Sequence, residues 1–321
     1  MKLIIQIPCY NEEKTLPEVI RDLPSSLVGV DTIEYLVIDD GSSDRTIEVA
    51  REVGVHHILP LATNRGLASA FMAGIRQSVE LGADIIVNTD GDNQYCGDCI
   101  ADLIGPVLSN EADLVIGARP IEDIDEFSWL KKKLQRIGSG TVRKFSGTDV
   151  TDTTSGFRAY TADTAFKLHL FNRYTYTLET IIQAGAMDIR IANVPIRVNP
   201  KTRDSRLMKS LFSYIKHSSA TILWSYVRYK PMRFFSYLAL GPLLASLGIG
   251  MRFIYFFVVA GEGEGKVQSL LLGTGLSLIG FYLFVLGVLA ELIRSNRQLI
   301  QVNQAYLRKA AIGGEPFERK A

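Results

Sequence analysis

Cysteine is scarce: Cys9, Cys96 and Cys99 are the only three in 321 residues. That is too few for a disulfide-stapled scaffold and suits a reducing compartment. Cys96 and Cys99 form a lone C-x-x-C with no second Cys/His pair at ligand spacing, so the pair reads as incidental rather than as a zinc or redox site. Eleven prolines and 27 glycines exclude a collagen-like chain, and 47% hydrophobic against 21% charged residues excludes a wholly disordered one. The sequence also lacks the G-x-x-x-x-G-K-[ST] phosphate loop and the G-x-G-x-x-G dinucleotide fingerprint, which argues against ATPases and dehydrogenases. No G-x-S-x-G nucleophile elbow is present. At the N-terminus the apolar run is cut by Gln6 and Pro8 and no small-residue cleavage site follows, so this part is expected to stay in the cytoplasm.

Net charge is nearly absent, at +1, but the sum hides a division. Residues 1–200 carry 19 Lys and Arg against 28 Asp and Glu, a net of −9; residues 201–321 carry 16 against 6, a net of +10. An asymmetry of this size marks two differently employed parts.

The acidic part reads as an alternating strand–helix domain over residues 1–200. Leu3–Ile7, Leu36–Ile38, Ile85–Val87 and Leu114–Ile116 are short apolar runs bounded by Asp, Gly or Pro, as in buried strands of a mainly parallel sheet. Helical patterns at Glu13–Asp22, Asp44–Val53, Gly66–Glu80 and Asp98–Leu108 intervene, which predicts an α/β fold with helices on both faces. Ligands of such sheets bind at the carboxyl ends of the strands. Three polar clusters fall there, at residues 8–13, 39–44 and 88–94. In the third, Asp90 and Asp92 stand two apart on an extended turn, with the Gln94 carbonyl as a further oxygen. Hard oxygen ligands of this kind suit Mg²⁺ or Mn²⁺ held jointly with a diphosphate; the competing reading is a solvated acidic turn. Asp39 can accept hydrogen bonds from a base or ribose, or cap the helix starting near Ser43, a role open also to Asp40 or Ser42.

The basic part holds two long uncharged stretches, Phe234–Met251, continuing past Arg252 to Ala260, and Val267–Ala290. About 20 helical residues span the hydrocarbon core, and neither stretch has a polar face, so both are expected to be transmembrane helices within residues 234–293, at about 234–260 and 267–290. The six-residue connector Gly261–Lys266 makes them an antiparallel hairpin. Residues 201–233 carry eight Lys and Arg against one Asp, and the tail 294–321 six against two Glu, which places both flanks and both termini in the cytoplasm. Arg252 would snorkel or face a neighbouring helix or lipid phosphate. Leu207, Leu211, Phe212, Ile215, Ile222 and Leu223 recur at helical spacing among basic residues, which predicts an amphipathic helix over Ser205–Tyr229 lying in the headgroup layer. Gly241, Gly248 and Gly273 offer surfaces on which copies of the chain could pack as a homo-oligomer. Because the basic residues flank membrane spans, nucleic acid is not expected as a partner.

Ile-Pro-Cys-Tyr-Asn-Glu-Glu (7–13), Val-Ile-Asp-Asp-Gly-Ser-Ser-Asp-Arg-Thr (37–46), Asn-Arg-Gly (64–66), Asp-Gly-Asp-Asn-Gln (90–94) and Thr-Ser-Gly-Phe-Arg-Ala-Tyr (154–160) together resemble family 2 glycosyltransferases of the GT-A fold. With two C-terminal spans, the chain is most similar to polyprenyl-phosphate glycosyltransferases of the dolichyl-phosphate-mannose synthase and GtrB type. The resemblance implies inverting, metal-dependent transfer of a sugar from a UDP- or GDP-sugar to an undecaprenyl or dolichyl phosphate at the cytoplasmic leaflet of the membrane. It implies that Pro8, Tyr10, Glu12, Val37 and Asp39, with Asp90 and Gly91, line the donor nucleotide, and that Asp90, Asp92 and Gln94 surround the metal. Arg119 would face the phosphates, and Arg136 and Ser139 would bind the acceptor phosphate. The family's Arg…Gly-x-Ser-Lys segment corresponds to Lys201–Arg206, where Ser205 and Arg206 replace Ser-Lys, the Gly is absent and Arg203 lies closer than usual.

The chemistry agrees. A phosphate acceptor is already anionic, so the protein needs no strong base; it must position two phosphate-bearing substrates and neutralise the leaving diphosphate. Arginine forks suit that task, against a plain reading of Arg119 and Arg136 as surface ion pairs. Lys131–Lys133 fit a solvated helix face and an anionic-lipid contact equally. Two other functions compete. A processive polysaccharide synthase would need more spans and typically a Gln/Arg-x-x-Arg-Trp motif, and a catalytically silent membrane scaffold would have no need of Asp90, Asp92, Gln94 and Arg119.

Overall fold

The structure is a computed structural model that describes residues 1–120, 129–170, 175–200, 211–259 and 267–311. Seven strands form one sheet: β1 (Lys2–Cys9), β2 (Thr32–Asp39), β3 (His57–Pro60), β4 (Ile85–Asn88), β5 (Leu114–Ala118), β6 (Arg158–Thr161) and β7 (Ile191–Pro195), in the order β3-β2-β1-β4-β6-β5-β7. All neighbours pair in parallel except β6, which runs antiparallel to both β4 and β5. The helices between them are α1 (Leu16–Asp22), α2 (Thr46–Glu52), α3 (Leu67–Glu80), α4 (Cys99–Leu108), α5 (Trp129–Ser146), α6 (Ala162–Lys167) and α7 (Thr177–Ala186).

Both faces of β1 are covered, which is why its residues 3–9 are all buried and apolar residues stand on both faces rather than in alternation. Leu3, Ile5 and Ile7 join Leu16, Val19, Ile100, Leu103 and Ile104 in one core. On the other face α3 lies close over the sheet: a Cβ at Gly74 would stand 2.6 Å from Ile38 Cδ1. Gln6, wholly buried in β1, is in register with Asn88 on β4 and donates to its Oδ1 at 2.8 Å. A buried amide without such a partner would carry the full desolvation cost. Emptying a position such as Ile5, which has no exposed surface, is expected to cost about 2–5 kcal/mol.

The C-terminal unit, Tyr226–Tyr306, takes in the end of α8 (Leu211–Tyr229), α9 (Pro231–Ile254) with a π-helical turn at Tyr255–Val259, and most of α10 (Val267–Ala311). Two segments are long and apolar enough to cross a membrane, Pro231–Val259 and Gln268–Ile300, and large side chains along both stand exposed. The first helix begins three residues before the expected Phe234, at a proline whose fixed φ suits a first helical position. The second runs on past Ala290 to Ala311, since residues 288–311 contain neither glycine nor proline to stop it. The two helices meet along a glycine seam. Cβ atoms at Gly273, Gly280 and Gly287 would lie 3.1 Å from Ile249, 2.6 Å from Leu243 and 2.9 Å from Phe235. Gly273, expected as a contact between copies, therefore faces its own hairpin, while Gly241 and Gly248 have nothing within 4 Å among the described residues. The amphipathic pattern expected from Ser205 is helical from Leu211; residues 205–210 lie outside the described residues. In α8, Leu223 and Trp224 are exposed beside buried Ile222 and Ser225.

Candidate active site

The polar loops after β1, β2 and β4 converge at the carboxyl edge of the sheet, and short hydrogen bonds join them. Asn11 adopts a left-handed backbone (φ 55°); its N–H donates to Ser42 Oγ at 2.8 Å and its Oδ1 accepts the Ser43 N–H at 2.8 Å. The Glu12 N–H donates to Thr46 Oγ1 at 2.9 Å. Asp39 accepts the Ser42 N–H at 3.2 Å, whereas Asp40 turns to the Asn-Arg-Gly loop and accepts the N–H groups of Arg65 and Gly66, both at 2.8 Å. Asp40 thus holds the N-terminus of α3, while α2 begins at Thr46, whose N–H Asp44 accepts at 3.0 Å.

Gly91 seals the loop after β4 onto the loop after β1. A Cβ there would lie 3.1 Å from Cys9 Sγ, 3.3 Å from Glu12 Cγ and 3.4 Å from the Pro8 carbonyl. Thr15 Oγ1 bridges the same junction, donating to the Gly91 carbonyl at 2.7 Å with Glu12 Oε2 at 2.9 Å. Pro8 and Asp39, at the ends of β1 and β2, and Tyr10, Glu12, Asp90, Gly91 and Asp92, on the loops after β1 and β4, are therefore neighbours at one edge. Their exposures differ: Tyr10 is exposed, Glu12 and Asp39 are buried, and the Val37 side chain is wholly within the core. Along residues 90–95, half-buried Asp90, Asp92 and Gln94 alternate with buried Gly91, Asn93 and Tyr95. Asn93, at φ 56°, supplies the turn, and Asp92 Oδ1 accepts the Gln94 N–H at 3.3 Å.

Beneath Asp90 lies a polar layer. The Gly156 N–H donates to Tyr95 Oη at 2.9 Å; Asn88 Nδ2 donates to Tyr176 Oη at 2.8 Å and to the Gly156 carbonyl at 2.9 Å. A Cβ at Gly156 would lie 3.0 Å from both Asp90 carboxylate oxygens and 2.7 Å from Tyr176 Oη, so only glycine fits under that carboxylate. Tyr176 is stacked on Phe71 at 4.0 Å. Burial, followed by the nearby Asp90 carboxylate, pushes both the Tyr95 and Tyr176 hydroxyls up, so both stay protonated.

Arg119, just past β5, is 8% exposed and forms a two-pronged ion pair with Asp152, itself 1% exposed: Nε to Oδ2 is 2.7 Å and Nη2 to Oδ1 is 3.1 Å. Nη2 also donates to Thr154 Oγ1 at 2.7 Å. Burial alone would raise the Asp152 carboxyl, but the guanidinium outweighs it and holds the group below the usual carboxylate range; Arg119 is raised in turn against its own desolvation. Ser139 on α5 is buried with its hydroxyl 3.1 Å from Thr153 Oγ1. Arg136 stands one helical turn earlier on α5, its side chain outside the described residues; Arg203, Ser205 and Arg206 lie outside them altogether.

Several members of this site carry no distinct signal in the sequence. Asn88 and Tyr95 flank the Asp-Gly-Asp-Asn-Gln motif and Gly156 lies within Thr-Ser-Gly-Phe-Arg-Ala-Tyr, so only their proximity to a motif marks them. Asp152 lies two residues before one motif, and Tyr176 has no local signature. Among the described residues no group of three or more His, Cys, Asp and Glu surrounds one point. The protein thus offers two carboxylates, Asp90 and Asp92, with a side-chain-free cradle at Gly156. That donor set fits a hard divalent cation completing its shell with ligand oxygens.

The parallel sheet with its reversed β6, and acidic loops at one edge, defines a GT-A glycosyltransferase fold. Glucosyl-3-phosphoglycerate synthase from Mycobacterium tuberculosis, solved with Mn²⁺, UDP and glucosyl-3-phosphoglycerate, superposes with a TM-score of 0.53 and 21% identity over 70% of this chain and 78% of that one. The sequence model of Glycosyl transferase family 2 matches residues 4–166, just over half of the chain. The undecaprenyl-phosphate mannosyltransferase of Micrococcus luteus is 32% identical over 207 residues, covering 61% of this chain and 83% of that protein. The UDP-N-acetylglucosamine–dolichyl-phosphate N-acetylglucosaminyltransferase of Methanococcus voltae is 30% identical over 217 residues, covering 60% and 83%. The chain belongs to glycosyl transferase family 2 and is a glycosyltransferase.

Proposed function

We propose that this chain moves a sugar from a nucleotide-sugar donor, UDP- or GDP-linked, to a polyprenyl phosphate at the cytoplasmic face of a membrane, with inversion and with dependence on Mg²⁺ or Mn²⁺. The observation that carries the reading is the seal at Gly91, which sets the Pro8–Glu12 loop against Asp90 and Asp92 in a chain followed by two apolar helices long enough to span a bilayer. The names of the two relatives, both transferases to lipid phosphates, support the acceptor class.

In this reading Tyr10 and Asp39 hold the nucleoside, with Pro8, Glu12 and Val37 forming the wall behind it. Asp90, Asp92 and Gln94 hold the cation, which when bound supplies positive charge to the departing diphosphate. Among the described residues Asp152 and Thr154 engage Nε and Nη2 of Arg119, and Nη1 is the nitrogen that meets a phosphate oxygen. Its buried pairing fixes that nitrogen's direction before substrate arrives, which is the form of electrostatic stabilisation that costs no reorganisation. Arg136, Ser139, Arg203 and Arg206 bind the acceptor phosphate, and the basic residues of 201–233 hold the chain to the bilayer. Attack comes from a phosphate oxygen that is already ionised, so no side chain has to remove a proton.

The test is an assay of membranes containing the full chain, given polyprenyl phosphate and a panel of radiolabelled UDP- and GDP-sugars. Label extractable into organic solvent is expected with at least one donor, abolished by chelation and by Asp92→Ala. Failure with every donor, or product that survives Asp92→Ala, would overturn the reading.

A further inference from the structure

The chain that leaves β7 doubles back across the loop bearing Gln94. Val198 pairs with Tyr95 in an isolated antiparallel bridge, and the Asn199 N–H donates to the Gln94 carbonyl at 2.9 Å. The Cys96 N–H reaches the Arg197 carbonyl at 3.5 Å, and the Arg197 N–H points at Cys99 Sγ at 3.3 Å. The buried C-x-x-C thiol thus receives a backbone donor in this clamp.

Asp22, the last residue of α1, closes the clamp from the other side. Its Oδ2 accepts the Gly97 N–H at 2.7 Å and Asn199 Nδ2 at 3.4 Å, and the same Nδ2 lies 3.4 Å from the Tyr95 carbonyl. Gly97 must be glycine, because a Cβ would fall 2.0 Å from the Asp22 carbonyl oxygen. One carboxylate therefore fixes both strands of the clamp, three residues after Gln94 and four residues before Arg203 along the chain. A hydrogen bond to an ionised acceptor is about twice as strong as a neutral one, so Asp22 is the strongest link here.

We infer that Asp22 is a positioning residue for the cation-binding loop, acting through Gly97 and Asn199 on the backbone that presents Gln94. The inference rests on the reading that Asp90, Asp92 and Gln94 bind a divalent cation. Ligands supplied from a loop need their supporting hydrogen bonds to stay within about 0.5 Å of a productive geometry, and loss of such support typically weakens metal binding about tenfold or more. Asp22 touches neither nucleotide nor acceptor in this scheme, so its loss should be recoverable by excess metal.

The experiment uses the full-length protein and two readouts: the Mn²⁺ concentration giving half-maximal transfer, and direct Mn²⁺ titration by electron paramagnetic resonance with nucleoside diphosphate present. Asp22→Ala is expected to raise both midpoints about tenfold, with the maximal rate at saturating Mn²⁺ and metal-free nucleotide binding retained. Asp22→Asn should restore most of the affinity, since its amide oxygen can still accept the Gly97 N–H. Asn199→Ala, which leaves the Asp22–Gly97 bond, should raise the midpoints about threefold. The double variant should be no worse than Asp22→Ala. Wild-type midpoints in Asp22→Ala and Asn199→Ala would overturn the inference, as would a lowered maximal rate with unchanged midpoints. If Asp22→Ala does not fold, the Asn199→Ala midpoint decides. If the wild-type chain itself binds no Mn²⁺ in either readout, the cation reading fails first and takes this inference with it.

Discussion

Adding one methyl group at Gly156 tests the site at its tightest point. The new Cβ would press on both Asp90 oxygens and on Tyr176 Oη, and the tyrosine ring, stacked on Phe71, has little room to yield. Gly156→Ala is expected to cost about 1–3 kcal/mol in stability and to displace the Asp90 carboxylate. A urea titration reads the first effect and a Mn²⁺-dependence curve of transfer the second; wild-type values in both would show the cradle is not needed. Asp152→Asn should cost about 3 kcal/mol by leaving the Arg119 guanidinium buried without its counter-charge. The pH dependence has a fixed sign. The folded carboxyl lies below its unfolded value near 3.9, so the stabilisation is complete above that value and is lost as pH falls through the folded one. Wild-type and variant urea midpoints should therefore differ widely at pH 7 and draw together below about pH 4.

Secondary elements differed in how plainly the sequence announces them. The runs Leu3–Ile7, Leu36–Ile38, Ile85–Val87 and Leu114–Ile116 fall in β1, β2, β4 and β5, are buried on both faces and are hence apolar at every position but Gln6. β3 and β7 lie at the sheet edges, where half-buried positions admit His57 and Asn193, and no apolar run marks them. β6 opens with Arg158, a residue that reads as surface but is wholly buried, its guanidinium donating to the Ser155 and Thr153 carbonyls and to Thr180 Oγ1. Two of these partners are near in sequence, but Thr180 lies 22 residues on and cannot be read from local pattern. The same holds for Asp40, which follows Asp39 at the end of β2 but whose own partners lie 25 and 26 residues on. Asp40→Ala should loosen the start of α3, costing about 1–2 kcal/mol, and Asp40→Asn should recover part of it. Hydrogen exchange at Arg65 and Gly66 would report the change directly, and unaltered protection there would refute it.

In the whole molecule the acidic residues 1–200 lie within the α/β unit that carries the candidate site, and the long apolar helices form a second unit, Tyr226–Tyr306. Removing residues 234–321 is expected to leave nucleotide binding intact and to lower transfer to a lipid phosphate by an order of magnitude, measured side by side on vesicles; equal transfer by the shortened chain would show that the helices do not deliver the acceptor. Those helices have a property of their own. Gly273, Gly280 and Gly287 recur at strict intervals of seven, and each meets a residue of the opposite helix. Straight α-helices drift by about 20° per seven residues, so a contact line that keeps this interval requires the pair to wind left-handedly about each other. The wound stretch is about 21 Å long, most of a bilayer's hydrocarbon depth. Strands wound in that sense separate only by unwinding, so the two helices are expected to tilt and shift together as one rod.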